Sequence, residues 1–427
     1  MKKNIILYLV FIISYTSKAQ QDVSSIYHWN EISTNAVINM GLPGNPNMIA
    51  PMRESRIYAM VYLSMHNIMN SIKPVSKTYH FDEKGFTNAS LESAIAQSTY
   101  DILVHELPSQ KDFLANAMNE SLEKIPSGIS KEQGITLGHM SAGAIIALRK
   151  NDNADKAMYP VDEGTKAGDY RYTPPFNGAP FNTPPFKGLI ADPGWGTVTP
   201  FSISSAMSMR PALKPYPVNS KEYTKDFTEI KDMGCDQCPK RTKDQTVFAK
   251  FWMESSPRGW NRIAINIAKQ KNISSNDLTR LLSLLHAAIA DSYIVSMESK
   301  MYYFYWRPVT AIHLGDQDGN SKTPGDSHWK ELGFPTPPIP DYPSAHANAG
   351  GAAAEVLSSF FKSDKIPFST TSETLPGATR SFKSFSSAAR ENSLSRIYIG
   401  YHFRRAALIG EQVGKNIGQH IVNNLFK

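Results

Sequence analysis

Apolar residues recur at helical spacing along most of this chain. In residues 53–72 they fall at Ile57, Met60, Val61, Leu63, Met65, Ile68 and Met69, a broad stripe on one face of a helix. Comparable amphipathic stretches run over 91–107, 131–148, 245–253, 261–268, 277–305, 347–361 and 404–426. Ser274 or Ser275 can cap the start of the 277–305 stretch, and no Gly or Pro interrupts it before Pro308. Between about 153 and 220 the texture changes to proline, glycine and aromatics, as in Thr173-Pro-Pro-Phe176 and Thr183-Pro-Pro-Phe186. Prolines stiffen such a segment and its aromatics can pack, so it reads as a long ordered loop. The expected fold is all-α, a helical bundle with one loop-rich excursion, in a single large domain over 20–427.

The N-terminus breaks the pattern. Met1-Lys2-Lys3-Asn4, the apolar run from Ile5 to Ile13, and Ser17-Lys18-Ala19 make a basic start, a short apolar segment and a small-residue cleavage site. A signal peptide over 1–19 is expected, with export to a periplasm or beyond the cell. The apolar run is too short for a membrane span, and no later stretch is expected to span one. The formal charge of +7 falls by three on removal of Lys2, Lys3 and Lys18. Basic runs such as Lys240-Arg241 are too short to track a nucleic-acid backbone, so a small anion is the better partner.

The two cysteines, Cys235 and Cys238, stand in one C-x-x-C with no second pair and no nearby histidine pair, which predicts a local disulfide. Asp316-Gln-Asp318-Gly319-Asn320 resembles the opening of a calcium loop, but Ser327 stands where a twelfth-position glutamate belongs, so a polar turn is expected.

Three stretches in the last third carry candidate chemistry: Lys300-Met-Tyr-Tyr-Phe-Tyr-Trp-Arg307-Pro308, Pro343-Ser344-Ala345-His346, and Ser395-Arg396-Ile-Tyr-Ile-Gly400-Tyr-His402. Lys300 and Arg307 would share a helix face, about 10 Å apart along the axis, if the helix persists. The residues between them are too apolar for a solvated basic edge, which points to burial behind an anion. Ser344 and the amides near Ala345 lie at a helix start, where unpaired N–H groups favour oxyanions. Arg396 can hold two oxygens at once, and His346 and His402 can exchange protons or donate a nitrogen lone pair.

In this order the motifs resemble the vanadium-dependent haloperoxidases, which share fold and anion site with the type 2 phosphatidic acid phosphatases and bacterial acid phosphatases. Trp260-Asn-Arg-Ile-Ala264, Arg307-Pro-Val-Thr-Ala-Ile312 and His402-Phe403-Arg404 extend the resemblance outside the motifs. It implies vanadate as cofactor, with phosphate fitting the same site. Lys300, Arg307, Ser344, the N–H of Ala345 and Arg396 would hold its equatorial oxygens. His402 would be the axial ligand of vanadium and His346 the acid–base residue, with Lys300 polarising bound hydrogen peroxide. The implied reaction is oxidation of a halide, iodide or bromide favoured, with a small organic acceptor open. The alternative is an acid phosphatase with His402 as nucleophile and His346 as acid, and the third is a non-catalytic anion-binding scaffold. Three residues depart from the family pattern: Ala345 for Gly, Ala406 where the family commonly has Asp, and Ile339 where chloride- and bromide-oxidising relatives often carry Phe or His.

Overall fold

The computed structural model describes residues 23–41 and 50–427. The expected signal peptide at 1–19 lies outside the described residues. Helices dominate: α1 (23–40), α2 (Pro51–Ile72), α3 (Leu91–Glu106), α4 (Lys111–Glu123), α5 (Ile129–Arg149), α6 (Lys221–Met233), α7 (Lys243–Phe251), α8 (Ser256–Lys271), α9 (Ser275–Tyr303), α10 (Pro308–His313), α11 (Ala345–Phe360), α12 (Phe385–Tyr398) and α13 (Arg404–Asn424). One antiparallel hairpin, β1 (Phe368–Thr371) with β2 (Thr379–Phe382), sets Phe368 opposite Phe382. The all-α reading stands. Each of the eight expected helical stretches has a helix, while α1, α4, α6, α10, α12 and the hairpin were not foreseen.

The described chain divides into two compact units. The first takes in the described residues up to Asn151, together with Asn261–His286 and Leu425–Lys427. There α3 packs on α2, α4 and α5. His286, on the early part of α9, stacks on Tyr62 with ring centroids 4.6 Å apart and pairs with Asn261 Oδ1 at 3.0 Å. Ser274 caps α9, its Oγ accepting from Asp277 N at 3.1 Å.

The second unit holds Asp152–Trp260 and Ala287–Asn424. Its core includes a seam between α11 and α13, which run side by side in the same direction. Gly410, Gly414 and Gly418 recur every fourth residue on α13, and a Cβ added at each would meet the backbone of Ser344, Asn348 and Ala352 respectively. On α11, a Cβ at Gly351 would lie 2.2 Å from Glu411 O. Backbone therefore touches backbone along this seam, which only small residues permit.

The 153–220 stretch holds three short 3-10 turns and no longer helix or strand. It is fastened from within the unit. The Asp291 carboxylate of α9 accepts from Phe201 N at 2.6 Å, Ser202 N at 3.0 Å and Ile203 N at 3.2 Å. Tyr170 and Ile190 pack with Met301, Phe304 and Ile339. The expected Cys235–Cys238 disulfide is present, with the Cα atoms 5.2 Å apart. The 316–320 stretch is a polar turn whose carboxylates are taken up by Asn320 N, Thr323 Oγ1 and Gly325 N.

Among the described residues only α9 is long and apolar enough to cross a membrane, and 94% of its most apolar window is buried inside the protein. A buried core helix passes that test on composition alone.

Candidate active site

Helix α9 ends at Tyr303, before Arg307, so the two cations do not share a helix face as a continued helix would require. Phe304 takes a left-handed conformation (φ 45°), and Pro308 disfavours helical backbone at the residue before it. The freed segment turns extended: Tyr170 N donates to Phe304 O at 2.8 Å and Trp306 N to Gly168 O at 2.9 Å. Arg307, extended at φ −81° and ψ 156°, then stands at the N-cap of α10.

This break brings the cations together by another route. Lys300 Nζ donates to Pro340 O at 2.5 Å and to Asp341 O at 3.0 Å, while Arg307 Nε donates to Ile339 O at 2.7 Å. Three successive carbonyls just before Ser344 therefore take up both. Arg307 Nη1 also donates to Tyr401 O at 2.8 Å and lies 2.9 Å from His402 Nε2. Gly400 (φ 90°) makes the turn between Arg396 and His402, and a Cβ there would lie 2.5 Å from Gly234 O.

Ser344 is fully buried at the N-cap of α11, its Oγ accepting from Ala347 N at 3.4 Å, so Ala345 opens the helix. The Ser344 N–H donates to Ala406 O at 3.0 Å, tying this start to the first turn of α13. His346 Nδ1 lies 2.9 Å from Ser256 Oγ. Arg396, near the end of α12, donates from Nη2 to Trp252 O at 2.6 Å and from Nε to Ser395 Oγ at 3.0 Å.

Burial dominates the electrostatics. Lys300 is 0% exposed, Arg307 1%, Arg396 3% and His402 5%, so none of their charges is screened by bulk water. Burial pushes the Lys300 ammonium well below its ordinary range, with Arg307 adding to the effect and Asp341 opposing it. Arg396 is pushed down to about 10 by burial. The His402 imidazole is held well below its ordinary value by burial and then by the positive charges of Arg307, Lys300 and Arg396. His346 is lowered likewise, by burial and Arg396. Both rings are therefore neutral near pH 7.

One carboxylate stands among these cations. Asp341 is 1% exposed, and its Oδ1 lies 2.8 Å from His402 Nδ1. Burial raises its pKa to about 7, against the pull of Arg307 and Lys300. With the imidazole neutral and the carboxylate ionised, the contact is a hydrogen bond from Nδ1–H to Oδ1. The chemistry of the donor set fits a tetrahedral oxyanion: three buried cations, a buried hydroxyl and a helix start.

The seven residues expected from sequence lie on neighbouring parts of the same unit, and the positive charges of Lys300, Arg307 and Arg396 all act on His402. Three participants were not foreseen. Asp341, three residues before Ser344, lies just outside the 343–346 stretch, and a carboxylate beside that stretch was the available signal. Ser256 and the Trp252 carbonyl lie far off in sequence and carry no local signal.

Residues 280–427 match the family model of the VCPO second helical-bundle domain. Vanadium chloroperoxidase of Curvularia inaequalis is 26% identical over 367 residues, covering 68% of this chain. The match spans only 59% of that relative's own length. A bacterial vanadium-dependent iodoperoxidase structure superposes with a TM-score of 0.75 at 23% identity, covering 95% of this chain and 97% of that one. A holo-type bacterial vanadium-dependent chloroperoxidase structure gives 0.69 at 16% identity, covering 90% and 94%.

Proposed function

We propose, from the premise that the chain belongs by fold and by its second helical-bundle domain to the vanadium haloperoxidases, that it oxidises a halide with hydrogen peroxide on a bound vanadate. The observation that carries this reading is the buried trio of Lys300, Arg307 and Arg396 set around His402 and a helix start. Vanadate, when bound, supplies a Lewis-acid centre that activates peroxide without a change of metal oxidation state. Lys300, Arg307, Arg396, Ser344 and the N–H of Ala345 would hold its oxygens, and His402 Nε2 would face it as the nitrogen partner.

The protein's own groups divide the remaining work. The cations neutralise the anion's charge inside a low-dielectric site, where each contact is stronger than in water. His346, kept neutral by burial and by Arg396, is a base ready to accept a proton from incoming peroxide, and Ser256 fixes its ring through Nδ1. Lys300 would hold and polarise an oxygen of the bound anion. Iodide and bromide are favoured because they are more easily oxidised than chloride, and one structural neighbour is named an iodoperoxidase. The reading includes export with loss of residues 1–19, which the Cys235–Cys238 disulfide supports because such bonds persist in oxidising compartments.

The test is an assay of residues 20–427, with and without orthovanadate, for peroxide-dependent iodide and bromide oxidation beside phosphomonoester hydrolysis. Halide oxidation that needs vanadate and disappears in His402→Ala is expected. Phosphoester hydrolysis by the vanadate-free protein, with no halide oxidation after loading, would replace this reading with that of a phosphatase.

A further inference from the structure

Asp341 is held more firmly than a loop residue needs to be. Its N–H donates to Tyr305 O at 2.8 Å and its carbonyl accepts from Lys300 Nζ at 3.0 Å, so the backbone alone already ties the segment down. A buried carboxylate adds a desolvation cost that such a tie does not require. Its Oδ2 has no hydrogen-bond partner, while its Oδ1 lies 2.8 Å from His402 Nδ1, and the Phe403 N–H next to that histidine also supports the carboxylate. Ala406, which lines the same small cavity as Asp341, has no polar side-chain group to offer His402.

Arg307 Nη1 stands within reach of both ring nitrogens, 2.9 Å from Nε2 and 3.3 Å from Nδ1, so the guanidinium does not by itself choose the tautomer. Asp341 Oδ1 is placed against Nδ1, and an ionised carboxylate can only accept, so there Nδ1 carries the proton. Nε2 is left with its lone pair, nearer a guanidinium that can only donate.

We propose that Asp341 is the positioning residue for His402, locking the imidazole in the Nδ1–H tautomer with the Nε2 lone pair turned toward the cation cluster. This rests on the reading of His402 as the nitrogen partner of a bound oxyanion. Asp341 touches no reacting atom and acts only through the histidine.

Nitrogen-15 NMR of histidine-labelled, anion-free protein reads the tautomer directly, with the His402 signals assigned by their loss in His402→Ala. In the wild type Nδ1 should show the protonated and Nε2 the unprotonated shift. Asp341→Ala should lose that preference, and Asp341→Asn, whose amide oxygen can accept the same proton, should keep it. Equilibrium dialysis with orthovanadate and with inorganic phosphate should show Asp341→Ala weakening both by about 10- to 100-fold, Asp341→Asn less, and Asp341→Ala adding little in a His402→Ala background. An unchanged tautomer in Asp341→Ala, or an equal affinity loss with and without His402, would overturn the proposal. A wild type that binds neither anion would overturn the haloperoxidase reading instead, and the tautomer would still judge Asp341.

Discussion

Replacing Gly414 by alanine adds one methyl group at the closest approach of α11 and α13. The new Cβ would lie 1.9 Å from Asn348 O and 2.8 Å from Ala352 N, both backbone atoms that no rotamer change can move. Ordinary contact begins near 3.4 Å, so the helices must part locally by roughly 1.5 Å. Overpacking of this kind costs about 1–3 kcal/mol, while alanine's better helix propensity returns about 1 kcal/mol. A net loss of up to about 2 kcal/mol is expected. Gly143 on α5 is the control: it is exposed, with nothing within 4 Å of an added Cβ, so Gly143→Ala should stabilise by up to about 1 kcal/mol. Urea unfolding measures both. Because Ser344, Ala345 and His346 sit at the start of α11, phosphate affinity should also fall in Gly414→Ala and hold in Gly143→Ala. Equal stabilisation by the two substitutions, or unchanged phosphate affinity in Gly414→Ala, would refute the view that this seam sets the anion site.

Burial holds His66 down to about 4 and His286 to about 3, below the 6.5 of an unfolded histidine. As pH falls through 6.5 the unfolded chain takes up protons that the folded chain refuses, so stability present above pH 6.5 is lost toward pH 4. Between pH 6.5 and 5 the loss should be about 2 kcal/mol for each histidine, read from urea midpoints across that range. Asp291→Ala removes the acceptor of three backbone N–H groups at residues 201–203 and should cost more than about 3 kcal/mol, with faster proteolysis within 153–220 as a second readout. Arg307→Lys keeps the charge but loses the fork that reaches Ile339 O and Tyr401 O, and calorimetry should show phosphate affinity down by roughly 10- to 100-fold.

The long helices were legible because their buried faces are apolar. Helix α12 was not, since its buried face includes Asn392, Ser393, Ser395 and Arg396, and the tertiary partners of Ser393 and Arg396, Ala407 O and Trp252 O, leave no local trace. Helix α6 does carry a stripe, Tyr223, Phe227 and Ile230, but it is short and follows directly on the Pro-rich stretch. The four-residue glycine repeat on α13 is visible in the sequence and marks the close seam with α11. The site's cations and histidines follow from motif order. What holds them does not: the Phe304 turn, the carbonyls of 339–341 and Ser256 depend on contacts between residues far apart in sequence, which no local pattern encodes.

Lys300 has three N–H bonds to give, and two are already directed at Pro340 O and Asp341 O. One is left for an anion. Such a side chain has surrendered its rotational freedom during folding, so capture of an oxyanion need not freeze a flexible lysine, a step that otherwise opposes binding by about 0.5–1.5 kcal/mol per side chain. Arg307 and Arg396 are fastened in the same manner. The entropy of assembling the cradle is charged to folding, and the ligand meets a surface that is already in place.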